Sequence, residues 1–123
     1  MNEFAAAYER GRWGETFARV FLESCGLACR ASRYRSPDGE IDLIMSGPRL
    51  LVFVEVKTRG RRSLARPEAA VDGAKLGRLR RAARHWLWHH PPGRDIVYRF
   101  DVIAVEHRGG GRGLVLRHLA GVR

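Results

Sequence analysis

The chain has 123 residues, 45% of them apolar, and carries 23 Lys and Arg against 13 Asp and Glu, a formal charge of +10. That length suits one domain and that composition argues for a packed globule rather than a disordered chain, and no apolar run approaches the roughly 18 residues of a membrane span. The charge favours a polyanion, a nucleic-acid backbone or an anionic lipid surface, held in a salt-sensitive way.

In chain order, Met1-Asn2-Glu3-Phe4 lacks the basic start and apolar core of a signal peptide. Residues 3–25 read as a helix with Phe17, Val20, Phe21 and Ser24 on one face, widened by Ala18 and Leu22, and with Gly26 as its C-cap. Cys25 and Cys29 have no second pair to complete a zinc site and fit no disulfide framework, so free thiols and a cytoplasmic protein are expected. Leu27 to Tyr34 alternates loosely as a first strand. Ser36-Pro37-Asp38-Gly39 suits a type I turn, with Pro second and Gly fourth. A second strand follows from Glu40 to Met45, then a turn at Ser46-Gly47-Pro48-Arg49 and a third strand from Leu50 to Thr58. Short turns make these three an antiparallel meander.

Arg59 to Arg66 is basic and irregular, a loop. Asp72 suits the N-cap of a helix from Gly73 to Trp88, with a core stripe of Leu76, Leu79, Ala83, Trp86 and Leu87. Arg78, Arg81, Arg84 and His85 fall outside that stripe, and Pro91-Pro92-Gly93 ends the helix. Tyr98 to Glu106 is a fourth strand; arriving after a helical crossover, it is expected parallel to a strand of the meander. Gly109 to Gly113 reads as a linker and Leu114 to Leu119 as a short final strand. The order α-β-β-β-α-β is that of a mixed α/β domain with helices packed on a central sheet.

The chemistry gathers on the second and third strands. Side chains two apart share a strand face, so Glu40 goes with Asp42 and Glu55 with Lys57. One hairpin register sets Asp42 opposite Glu55 and Glu40 opposite Lys57, with opposed Cβ atoms roughly 4.5–5.5 Å apart. Two carboxylates that close repel unless a cation neutralises them, and one Mg²⁺ could sit between. A slip of one residue would send Asp42 to the other face. Spacing alone leaves a plain alternative open: a solvated strand face in which Glu40 and Lys57 form a cross-strand ion pair.

The Asp…Glu-x-Lys pattern resembles the PD-(D/E)XK nuclease superfamily. More closely, residues 11–107 resemble the YraN family of uncharacterised bacterial proteins, distant relatives of archaeal Holliday junction resolvases. The resemblance is carried by Gly11-Arg12-Trp13-Gly14-Glu15, Gly39-Glu40-Ile41-Asp42-Leu43-Ile44, Phe53-Val54-Glu55-Val56-Lys57-Thr58-Arg59, Lys75 and Arg99-Phe100-Asp101-Val102. The Pro-Asp of the superfamily's name is replaced by Glu40-Ile41 before Asp42. The resemblance implies a restriction-endonuclease-like core over residues 1–107, with 108–123 a Gly/Arg-rich linker and short strand. It also implies a Mg²⁺ or Mn²⁺ site on Asp42, Glu55 and the Val56 carbonyl, with Lys57 as the motif lysine and Glu15 as a supporting acid. The activity implied is phosphodiester cleavage in DNA, branched DNA included, by a homodimer as in junction resolvases. A nucleic-acid-binding adaptor that keeps the fold without turnover is the alternative.

Arg33, Arg35, Arg59, Arg61 and Arg62 flank the acidic strands and are candidate phosphate contacts, because the guanidinium fork matches phosphate oxygens. Lys75 stands near a helix N-terminus, where the helix dipole gives a cation nothing, which points to a functional use. Glu15 faces either the acidic cluster or Arg19, one turn on. His85 and His89 have i, i+4 spacing but no third metal ligand, so packing or surface roles are expected. Trp86 belongs to the core stripe, while Trp88 shares a side with Arg81 and Arg84 and is open to base stacking or a dimer contact.

Overall fold

The computed structural model describes residues 3–59, 73–107 and 113–123. Helix α1 (Glu3–Ser24) leads into strands β1 (Ala28–Ser36), β2 (Gly39–Gly47) and β3 (Leu50–Arg59); helix α2 (Gly73–His89) then precedes β4 (Val97–His107) and β5 (Leu114–Leu119). The five strands form one sheet in sequence order. β1, β2 and β3 pair antiparallel, β3 and β4 pair parallel, and β4 and β5 pair antiparallel. This is the mixed, helix-flanked α/β core that the element order predicts. The basic loop, Asp72, Arg61, Arg62 and the 108–112 linker lie outside the described residues.

Alternation along β3 divides the core in two, while on β2 it breaks beside Asp42, where Ile41 joins the layer of Ile44 rather than that of Leu43. Val52, Val54 and Val56 of β3, with Leu43, Met45, Ile103 and Val105, pack under Ala18 and Leu22 of α1. Leu51 and Phe53, with Ile41 and Ile44, pack under Leu76, Leu79, Ala82, Ala83 and Trp86 of α2. Trp86 is thus core, as expected, with its ring edge-on to Phe53. No described helix is long and apolar enough to cross a membrane. Cys25 and Cys29 are free thiols.

One expected face is corrected. α1 buries Gly14, Ala18 and Leu22, while Phe17 and Val20 are 38% and 56% exposed. Close approach accounts for the Gly14 end of this stripe: a Cβ on Gly14 would lie 2.1 Å from Thr58 Oγ1, so only glycine fits there.

β5 is a full member of the sheet. Asp101, on β4, is entirely buried, and its carboxylate is satisfied by four donors. Arg99 supplies Nε and Nη2 at 2.8 and 2.9 Å, His118 of β5 supplies Nε2 at 2.7 Å, and the Gly121 amide donates at 3.0 Å. A carboxylate among valines is tolerable only with such partners, so Asp101 fastens residues 118–121 onto the sheet.

Candidate active site

The β2–β3 register is the one that points Asp42 toward Glu55: pairing runs from Gly47↔Leu50 to Leu43↔Val54, one step short of those two residues. Beyond Leu43 the acid itself bridges the strands, the Val56 amide donating to Asp42 Oδ2 at 2.7 Å. The neighbourhood is irregular. Register shifts between Cys29 and Ala31 on β1, and Arg33 takes a left-handed conformation with φ of 52°. Such departures from a regular ladder re-aim side chains, and they cluster near functional sites.

Glu55 is the hub. Its Oε1 accepts from Lys57 Nζ and from Lys75 Nζ, each at 3.1 Å. Lys75 therefore reaches from the first turn of α2 into the acidic strands, joining sequence positions that the crossover had separated. Burial pushes the Asp42 carboxyl up to about 7, and the Glu55 charge adds to it; the Val56 amide opposes, while Glu15 and Glu40 push further upward. Burial pulls the Lys57 ammonium down, but hydrogen bonds with Lys75 and Glu55 and the nearby carboxylate charges outweigh it, so its pKa is raised. Lys75 moves the other way, lowered by burial and by the bond it shares with Lys57, against the pull of Glu55. Of the two ammonium groups, Lys75 sheds its proton first.

The outer positions resolve as follows. Glu15 takes Arg33 of β1, with Nε to Oε2 at 2.7 Å, rather than Arg19, which lies 3.9 Å from Glu23. Arg35, well exposed, approaches Glu40 at 3.7 Å, so the cross-strand Glu40–Lys57 pair is replaced by Arg35–Glu40 and Lys57–Glu55. Arg59 ends β3. His85 Nδ1 bonds the Tyr34 hydroxyl, and His89 Nδ1 bonds the His85 carbonyl, which are packing roles. Beside Glu55 opens a cavity of about 110 Å³ lined by Gly39, Glu40, Lys75, Arg78 and Leu79. Arg78 carried no site signal in the sequence beyond being a cation off the core stripe.

Comparison with known proteins places the chain. Residues 14–105 match the model of "Uncharacterised protein family UPF0102". The chain belongs to this family. A UPF0102 protein of Beutenbergia cavernae is 44% identical over 112 residues, covering 91% of this chain and 93% of that one. Those of Syntrophotalea carbinolica and Shewanella oneidensis are 42% and 41% identical, covering 80% and 78% of this chain and 80% and 87% of theirs. The UPF0102 match spans α1 from Gly14 through most of β4, and so takes in Glu15, Asp42, Glu55, Lys57 and Lys75.

The donors suit a hard divalent cation. Among the described residues no three His, Cys, Asp or Glu side chains gather as a ready-made metal cluster. Mg²⁺ does not require one: it binds through one or two carboxylates and keeps the remaining positions for water and phosphate oxygens. A carboxyl whose charge is opposed by burial and by a neighbouring acid, as at Asp42, is relieved by such an ion.

Proposed function

We propose that this UPF0102 member is a metal-dependent endonuclease that hydrolyses phosphodiester bonds of DNA, with branched DNA as its natural substrate. The observation that carries this is the convergence of Asp42, Glu55, Lys57 and Lys75 at the point where β2 and β3 stop pairing, beside an open cavity and on a chain of charge +10. Asp42, Glu55 and the Val56 carbonyl would hold Mg²⁺ or Mn²⁺. Bound there, the ion supplies a lowered pKa for a coordinated water and polarisation of a phosphoryl oxygen.

The side chains supply the rest. Lys57 orients the attacking water and offsets charge on the phosphate. Lys75, the more easily deprotonated amine, moves a proton or grips the adjacent phosphate. Glu15 holds Arg33 at the edge of the site, while Arg35, Arg59, Arg61 and Arg62 neutralise phosphates along the strand. A homodimer would bring two such sites to the two strands of a junction.

The test is cleavage of plasmid and four-way-junction DNA with Mg²⁺ or Mn²⁺. Asp42→Ala and Glu55→Ala are expected to reduce cutting to background while DNA binding is unchanged or tighter, since each removes a negative charge. Cutting at the wild-type rate by both variants would end the proposal. The second reading, a non-catalytic adaptor, is favoured by one feature: Glu55 is already neutralised by two ammonium groups. It prevails if the wild type binds DNA and never cuts with either metal.

A further inference from the structure

We propose that the solvent face of α2 is a nucleic-acid track leading away from the acidic cluster and ending on Trp88, whose indole stacks on an unpaired base. The polarity of the track rests on the nuclease reading above; the contact itself does not.

α2 carries two tryptophans with opposite fates. Trp86 is 3% exposed and serves the core, whereas Trp88 is 81% exposed. Among the described residues Trp88 has no ring, hydrogen-bond or ionic partner. Its surroundings are cationic. Arg78, Arg81 and Arg84 are all exposed, and with Trp88 they fall in a sector of roughly 120° of the helix surface. Three acids meet this sector: Asp38, 3.8 Å from Arg81 with both side chains about half in water, is a weak competitor for the guanidinium, and Glu40 and Glu55 line the cavity beside Arg78 at its near end. His85, on the same side, is tied to Tyr34.

The track is continuous with the site, because Arg78 lines the same cavity as Glu55 and Lys75. At about 1.5 Å per residue, Lys75 and Trp88 lie roughly 20 Å apart along the axis. A strand with one phosphate per roughly 3.4 Å offers about six phosphates over that length.

The mixture selects the partner. A lipid-inserting face needs a contiguous apolar row, and here one aromatic ring stands among guanidinium groups on a chain of charge +10, a footprint that suits phosphates. An isolated aromatic beside a basic groove is the recipe for strand binding, phosphates neutralised and a base stacked. Bases inside an intact duplex already stack on each other, so Trp88 takes one that is free, at a flap, fork or junction.

The test is anisotropy titration of full-length protein, without divalent metal, against labelled single-stranded, forked and blunt duplex DNA. Trp88→Ala is expected to weaken the first two by roughly 5- to 150-fold and the blunt duplex far less. Trp88→Phe retains most of the affinity, because a phenyl ring still stacks. With the indole in solvent, both variants keep the fold, which circular dichroism checks. Equal loss on all three DNAs, or no loss on any, overturns the proposal. So does a variant that changes only self-association in sedimentation, which would make Trp88 a dimer contact. Trp88-dependent binding by a protein that never cuts DNA leaves the track standing and removes the hydrolytic reading alone.

Discussion

Asp42 is the residue on which the site's energetics turn. Its carboxyl titrates near 7 in the folded chain against 3.8 for the free side chain, because burial and then Glu55 disfavour the charge. The folded state therefore holds a proton that the unfolded state has released, and stability falls as pH rises between about 4 and 7. Above 7 the full penalty of the buried charge remains. Asp42→Asn keeps an oxygen to accept the Val56 amide and removes that charge. Its Tm is expected to exceed the wild type's at pH 8, with the gain vanishing near pH 4; a lower Tm at pH 8 would mean the carboxylate is stabilising after all. The closeness of Asp42 to Glu55 was one of the arrangements legible in the sequence, since a register continuing Leu43↔Val54 aims the two carboxyls at each other. The Lys75–Glu55 and Arg33–Glu15 contacts were not. Each joins elements far apart in sequence, where periodicity says nothing about who meets whom, and the local guess for Glu15 (Arg19) is the kind that a longer-range partner displaces.

Helix α1 shows how element-scale inference goes astray. Its bulky residues, Phe17 and Val20, suggest the buried side, yet the buried stripe is Gly14, Ala18 and Leu22. Hydrophobicity favours large side chains inside, and Leu22 obeys, but at Gly14 the approach of α1 to Thr58 leaves no room for a side chain. Gly14→Ala is a sharp check on this packing. Alanine is the better helix former by about 1 kcal/mol, so a helix free of contact would be stabilised. Here overpacking against Thr58 is expected to cost roughly 1–3 kcal/mol and give a net fall in Tm, which the Gly14→Ala/Thr58→Ala double variant recovers in part. A rise in Tm for the single variant would show that the helix and strand are not so close. α2, by contrast, was read nearly in full, because Leu76, Leu79, Ala83 and Trp86 form one 3.6-residue stripe; Ala82 is also buried, while Leu87, expected in the stripe, is half-buried.

At the scale of the molecule, the β1-β2-β3 meander and a parallel β4 were legible because short turns force neighbours and a helical crossover favours a parallel return, whereas the pairing of β4 with β3 and β5 was not. The boundary at 107 was less informative: a Gly-rich stretch looks like a domain edge, but β5 pairs with β4 as part of the same sheet. On the proposed reading, the excess charge sets how the molecule would meet DNA. DNA affinity is expected to fall linearly with log salt, with a slope near −0.7 to −0.9 per neutralised phosphate. Replacing Arg78, Arg81 and Arg84 together with alanine should flatten that slope by about 2 to 3. An unchanged slope would show that these cations never touch phosphate. The Asp101 clasp carries one more consequence, for biosynthesis. Translation runs from the N-terminus, so Asp101 is made before His118 and Gly121, and until they emerge its carboxylate has only Arg99 to answer it. A chain halted before His118 is thus expected to hold β4 less firmly and to be clipped faster by protease than the 123-residue chain, which limited proteolysis of a 1–117 truncation checks.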